Sequence, residues 1–263
     1  MEGLLTQKTA VITGAGSGVG RAACRIFAEH GARVIAADVD EDAVRETAKE
    51  VSQAGGTIVD CRCDVTDAAE VAALVGFAVA NFGLLDIMYN NAGITVPPEP
   101  GKGLRRLVET DDDLIRKVFA VNIDGVINGC KAAIRQFEAQ GSGGVIVNTN
   151  SIAGLIGYGG VAYNASKGAV TMLTRSLALE VAAAGIRINS VCPAGMVTNF
   201  MPGLAASATA KERMGAAHPL GRAIEPEECA NAALFLASDL ASNITGVNLP
   251  VDGGLSAGIP PRR

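Results

Sequence analysis

Lys8-Thr9-Ala10-Val11-Ile12-Thr13-Gly14-Ala15-Gly16-Ser17-Gly18-Val19-Gly20 decides how the rest of the chain is read. A short apolar run rich in β-branched residues leads into a glycine-rich turn, and an Ala-rich segment of helical period follows. Glycines let a backbone turn tightly and approach a pyrophosphate at a helix N-terminus, where free N–H groups and the helix dipole favour an anion. The spacing is Gly14-x-x-x-Gly18-x-Gly20, because Val19 fills the place that G-x-G-x-x-G gives to glycine. Placement after the first strand of a βαβ unit assigns Gly14, Ser17, Gly18, Val19 and Gly20 to a phosphate-binding turn.

The same alternation continues to the C-terminus. Candidate strands are Lys8–Thr13, Arg33–Asp38, Thr57–Asp64, Ile87–Asn90, Gly144–Asn148, Arg187–Cys192 and Gly246–Pro250. Most are continuous apolar runs, which suits strands buried on both faces of a parallel sheet. Asp40 is read as the cap of a helix to Gln53, Thr66 as the cap of Asp67–Phe82, and Thr110 with Asp113 as a capping box before a helix through Val121. Pro226 suits a helical first turn, and Gly31, Gly83 and Gly185 suit helix C-termini. The pattern predicts an α/β fold: one Rossmann-type domain over residues 1–263, a doubly wound parallel sheet of about seven strands with helices on both faces. Two irregular segments, Ile94–Glu109 and Val197–Gly221, follow candidate strands and should emerge at the carboxyl edge, where such sheets bind ligands.

Composition narrows the function. The 263 residues carry a net charge of −5, with 49% hydrophobic and 19% charged residues, so the chain is neither disordered nor basic enough for nucleic acid. Only His30 and His218 are present, which excludes a His-rich zinc site and leaves few bases for a His triad. The six cysteines are scattered. Cys61 and Cys63, read as facing opposite sides of a strand, make a poor metal pair, so no metal is expected and the thiols suit a cytoplasmic protein. No signal-peptide pattern opens the chain and no apolar run approaches about 18 residues, so no membrane segment is expected.

Asp38 ends the second candidate strand, and Val39 follows it. A carboxylate there can accept hydrogen bonds from both adenosine ribose hydroxyls. It would repel a 2′-phosphate: like unit charges 4 Å apart cost about 4 kcal/mol at an effective dielectric near 20. Ser17 and Val39 bring no compensating charge, so NAD is favoured over NADP. Farther on, Tyr163 and Lys167 are four apart at a helix start and share a face. A free tyrosine is a poor base at neutral pH, but a neighbouring ammonium favours the phenolate, so the pair can move a proton at an alcohol oxygen.

With these motifs in order, the chain resembles the short-chain dehydrogenase/reductase family over essentially its whole length. The family's glycine motif falls on Thr13–Gly20, its D-V pair on Asp64-Val65, and its N-N-A-G motif on Asn90-Asn91-Ala92-Gly93. Its helix asparagine falls on Asn122, its catalytic Ser, Tyr and Lys on Ser151, Tyr163 and Lys167, and its P-G-x-x-x-T on Pro193 to Thr198. Ala194 departs from the glycine of that last motif and puts the local turn in doubt. The resemblance implies that Tyr163 is the general acid/base, that Lys167 lowers its pKa and holds the nicotinamide ribose, that Ser151 binds the substrate oxygen, and that Asn122 positions Lys167. It also implies that Asp64, Val65, Asn91, Ala92, Gly93, Pro193, Gly195, Met196 and Thr198 line the cofactor with Asp38 and Val39.

The implied activity is interconversion of a secondary alcohol and a ketone with NAD. The substrate slot should be closed by the lid segment 197–221, with walls from Ile94–Glu109 and Ile152–Tyr158. Met196, Phe200, Met201, Leu204 and Met214 make it apolar, compatible with alicyclic, aromatic or steroid-like alcohols. The competing enzyme reading is a 3-oxoacyl-[acyl-carrier-protein] reductase, weakened by Asp38 and by Leu179 where a carrier-docking base would precede Glu180. A non-catalytic NAD-binding protein is the third. The family implies a homotetramer through helices near Asn122–Gln140 and Tyr163–Ala184, whose Ala132, Ala133, Ala178 and Ala182 permit close approach.

Overall fold

β1 (Thr9–Thr13) is buried along its whole length, as a strand between two helical layers must be. It is the third strand of a seven-stranded sheet in the computed structural model, which describes residues 3–98, 103–198, 200 and 209–258. The elements that follow are α1 (Gly18–Glu29), β2 (Arg33–Asp38), α2 (Glu41–Gln53), β3 (Thr57–Arg62), α3 (Ala68–Phe82), β4 (Ile87–Asn90), α4 (Asp112–Phe119), α5 (Gly125–Gln140), β5 (Gly144–Thr149), α6 (Val161–Val181), β6 (Ile186–Pro193), α7 (Ala210–Ala217), α8 (Pro226–Ala237) and β7 (Asn248–Val251). The sheet order is β3-β2-β1-β4-β5-β6-β7 and every pair is parallel. Chain order reverses between β1 and β4, so a crevice opens outside their carboxyl ends.

Neighbouring residues of β1 serve opposite layers. Ile12 packs with Phe27, Val34, Tyr89 and Leu234, whereas Val11 packs with Ile35, Leu74, Met88, Phe137 and Val170. Cys61 and Cys63, expected on opposite faces, both join the second layer, because alternate residues of a strand share a face. Among the described residues no group of three or more His, Cys, Asp or Glu side chains could hold a metal. Nor, among them, is any helix long and apolar enough to cross a membrane.

The expected strands sit where the sequence puts them, with ends shifted by one or two residues. Asp40 caps α2, accepting from Ala43 N, and Pro226 opens α8. Two caps differ. Asp67, not Thr66, caps α3, taking N–H bonds from Ala69 and Glu70, while the Thr66 hydroxyl bonds Asp64. Asp111, not Thr110, caps α4, accepting from Asp113 N. In both cases a carboxylate one residue on does better than a hydroxyl against the positive helix end. The helix read as stopping at Val121 instead runs through a π-helical turn, Ala120–Asp124, into α5.

Candidate active site

The glycine turn is shaped by close backbone approach. Gly14 has φ +65°, and a Cβ there would lie 2.8 Å from Ala92 Cα; at Gly20 a Cβ would collide with the Gly14 carbonyl. Asn91 staples this turn to β4: its amide donates to Thr13 O (3.0 Å) and Gly14 O (3.2 Å), while Thr13 Oγ1 accepts from the Asn91 and Ala92 N–H groups (3.0 and 3.1 Å). Asn91, expected to line the cofactor, thus spends its side chain on the turn itself. Ser17 precedes α1 without making a side-chain cap bond, so it leaves first-turn N–H groups for another acceptor. A cradle that admits no Cβ, with uncapped N–H groups at its rim, fits a dinucleotide pyrophosphate.

Asp38 stands beside this cradle. Its Oδ2 accepts from Gly16 N (2.8 Å) and its Oδ1 from Asp40 N (3.0 Å), which fixes the carboxylate while leaving lone pairs free. The sequence reading passed over Arg21, whose guanidinium donates to Gly16 O (2.7 Å) and pairs with Glu50 (3.2 Å). Asp64 is bonded to Thr66, which holds its carboxyl below the usual range. Val65 O accepts from Asn128 of α5 (3.0 Å). Val19 packs against the apolar cluster of Ile152, Cys192, Ala194, Ile224 and Cys229.

Gly93 marks where the two halves of the site meet. A Cβ there would sit 3.4 Å from Asn122 Oδ1 and 3.6 Å from Lys167 Nζ. Asn122 lies in the π turn, fully buried, and is saturated: Oδ1 accepts from Ile94 N (2.8 Å), and Nδ2 donates to Ile94 O (2.9 Å) and Ser166 Oγ (3.0 Å). A π turn inserts one residue into a helix and commonly marks a functional site. Ser166, buried, relays the contact to the Tyr163 carbonyl (2.7 Å). Lys167 is also buried, and its Nζ donates to Thr149 O (2.8 Å), 5.7 Å from the centre of the Tyr163 ring. Thr149 Oγ1 in turn meets Tyr89 Oη and Asn91 Oδ1, both at 2.9 Å.

Ser151 closes the group. Its Oγ donates to Pro193 O (3.3 Å), accepts from Ala153 N (3.1 Å) and bonds the Tyr163 hydroxyl. Asn150 beside it is turned away, donating to Thr171 and Asn248. Burial pushes the Tyr163 phenol up to about 12, with the Ser151 hydrogen bond opposing the rise. Burial pulls Lys167 down to about 8. This reverses the expectation for Tyr163: desolvation outweighs the ammonium, which is spent on the Thr149 carbonyl.

The segment after β6 lies over this cluster. Ala194, at the family's glycine position, has ordinary negative φ and donates to Val251 O (3.2 Å), so the turn needs no glycine there. Met196 bridges Ile224, and Thr198 stands about van der Waals distance from where a Gly18 Cβ would be (3.7 Å). Phe200 packs edge-on to Tyr163 with centroids 5.8 Å apart. His218, ahead of the strand end, is buried and bonds Met214 O through Nδ1 (2.6 Å), a structural role. Met201, Leu204 and the rest of 201–208 lie outside the described residues.

A family model described as Enoyl-(Acyl carrier protein) reductase matches residues 14–256. The chain is 41% identical over 258 residues to 3beta-hydroxysteroid dehydrogenase 2 of Eggerthella lenta, covering 97% of this chain and 96% of the relative. This chain belongs to the short-chain dehydrogenase/reductase family. Within that family it is also 44% identical over 252 residues to cis-4-hydroxycyclohexanecarboxylate dehydrogenase of Sinomonas cyclohexanicum, covering 95% and 97% of the two chains. The crystal structure of a short-chain type dehydrogenase/reductase from Mycobacterium marinum superimposes with a TM-score of 0.87 at 33% identity, covering 97% of each chain. As a short-chain dehydrogenase/reductase, the protein is an oxidoreductase acting on CH–OH groups with a nicotinamide cofactor.

Proposed function

We propose that this short-chain dehydrogenase/reductase interconverts a secondary alcohol and a ketone with NAD(H), on an apolar and alicyclic substrate. The observation that carries the reading is that Asn122 and Lys167 meet at Gly93, with the Tyr163 ring beside Lys167 and Ser151 beside the Tyr163 hydroxyl, next to the glycine cradle. The cofactor supplies the hydride acceptor at its nicotinamide ring. In the oxidation direction Tyr163, once its own proton has gone to solvent, would take the alcohol proton on Oη as the phenolate while hydride leaves the carbinol carbon for the bound nicotinamide. Ser151 Oγ hydrogen-bonds the substrate oxygen and orients it. Lys167, anchored on the Thr149 carbonyl, holds the ribose and carries positive charge beside the phenol. Asn122 acts through Ser166 and the Ile94 backbone, fixing the start of α6 and the turn after β4.

Asp38 supports NAD: its carboxylate is fixed by two backbone N–H groups where a ribose 2′-phosphate would have to sit, and Arg21 nearby is paired with Glu50. The alicyclic substrates in the names of the two relatives agree with the apolar wall formed by Ile152, Leu155, Met196 and Tyr158. A screen of alcohols and ketones by nicotinamide absorbance, with NAD and NADP in parallel, tests the reading. Turnover of alicyclic alcohols with NAD favoured is expected. Faster acetoacetyl-thioester reduction with NADPH than with NADH would replace it with the acyl-carrier reading.

We also propose a cytoplasmic homotetramer. Ala133 and Ala178, read as contact positions, are buried inside the protomer, so the contact face of α6 would instead use exposed Met172 and Leu179. Light scattering after size exclusion checks this, and a monomer would refute it.

A further inference from the structure

Three tyrosines are present, and two have their hydroxyls engaged: Tyr89 Oη with Thr149 Oγ1 and Tyr163 Oη with Ser151. The Tyr158 hydroxyl makes no hydrogen bond among the described residues, although its ring is half buried against Ile152, Leu155, Ala194 and Met196. The hydroxyl keeps contact with solvent, so in the free protein it is open to a ligand oxygen.

Its position is defined. A Cβ on Gly195 would lie 3.3 Å from Tyr158 Oη and 3.6 Å from Met214 Cε, so the hydroxyl sits over Gly195, near α7. Gly195 is two residues beyond Pro193, whose carbonyl accepts from Ser151 Oγ. The Tyr158 backbone is locked by the Asn164 amide, oriented with its nitrogen on Tyr158 O (2.6 Å) and Gly160 O (3.2 Å). Asn164 adjoins Tyr163, so one helix start fixes both phenols: one paired with Ser151, the other unpaired farther along the same wall. The local surface is otherwise apolar, with Met196 and Met214 beside it.

We infer that Tyr158 is a specificity-determining residue whose hydroxyl hydrogen-bonds a second oxygen of the substrate, remote from the carbinol carbon. The substrate class is then an apolar alcohol bearing a further hydroxyl, keto or carboxylate group. This rests on the alcohol-oxidising role proposed above. A site that bonds such an oxygen discriminates against analogues that lack it, because an analogue without it would cover the hydroxyl and displace its water without pairing it.

The test is Tyr158→Phe in the full-length protein, a change that removes no hydrogen bond from the ligand-free fold. Oxidation of cyclohexane-1,4-diol and cyclohexanol, and of hexane-2,5-diol and hexan-2-ol, is followed with NAD. The wild type should favour the diol in at least one pair. In the variant the diol-to-monoalcohol ratio of kcat/KM should fall about ten-fold, mostly through KM for the diol. A ratio that stays within about two-fold of wild type, or a wild type that does not favour either diol, overturns the inference and leaves the alcohol-oxidising role standing. A wild type that oxidises no alcohol overturns both.

Discussion

Lys167→Met makes the cost of the active-site ammonium measurable without turnover. Lys167 is buried and its pKa falls from 10.5 to about 8 through desolvation. At about 1.4 kcal/mol per pH unit, that drop corresponds to about 3 kcal/mol. The folded pKa lies below the unfolded one, so the unfolded chain holds the proton more tightly. Below pH 8 both states carry the charge and the fold bears the full penalty. Above pH 10.5 neither carries it and the penalty is gone. Methionine is close in shape and never charged, and the orphaned Thr149 carbonyl offsets the variant by an amount independent of pH. Urea unfolding of ligand-free wild type and variant, at one protein concentration and under reducing conditions, gives the stability difference at each pH. The advantage of the variant should shrink by about 3 kcal/mol between pH 8 and pH 10.5. A difference that is flat over this interval would refute the argument that burial suppresses the charge.

Tyr163, raised to about 12, must lose its proton to act as a base, so kcat/KM for alcohol oxidation should climb between about pH 7 and pH 10. Ketone reduction, which needs the protonated phenol, should not climb, and an oxidation rate that falls over this interval would contradict the assignment. Asn122→Ala strips partners from Ile94 N, Ile94 O and Ser166 Oγ, and should cost about 2–4 kcal/mol in urea unfolding. A loss below about 0.5 kcal/mol would show that these bonds are replaced by water. Asp38→Ala leaves Gly16 N without its acceptor and should lower the NAD-to-NADP ratio of kcat/KM at least ten-fold by about 1.4 kcal/mol or more of lost discrimination, whereas an unchanged ratio would remove Asp38 from cofactor choice.

The sheet was legible because its strands are continuous apolar runs and Gly14, Gly18 and Gly20 mark where β1 passes into α1. Tyr163 and Lys167 were legible because they sit four apart at one helix start, where spacing in sequence becomes proximity; Ser151, after β5, was legible through the family resemblance. Asn122 was legible only through family resemblance. The π turn that presents it depends on its bonds to Ile94 and Ser166, 28 and 44 residues away, which no local pattern encodes. Thr149 went unnoticed because its contribution to Lys167 is a backbone carbonyl. The Tyr163 shift was misjudged because spacing supplies the nearby charge but not the desolvation that opposes it. The caps moved to Asp67 and Asp111 because their carboxylates, one residue on, accept the first-turn N–H groups, while the Thr66 and Thr110 hydroxyls face away to donate to Asp64 and the Arg106 carbonyl.

The most direct measurement is NAD-linked alcohol oxidation by Tyr163→Phe, with nucleotide affinity determined on the same sample. The variant keeps the ring against Phe200 and loses only the hydroxyl bonded to Ser151. Turnover should fall by about a thousand-fold or more while NAD binds as tightly as to wild type. Near-normal turnover in that variant would contradict the assignment of Tyr163 as the group that moves the proton.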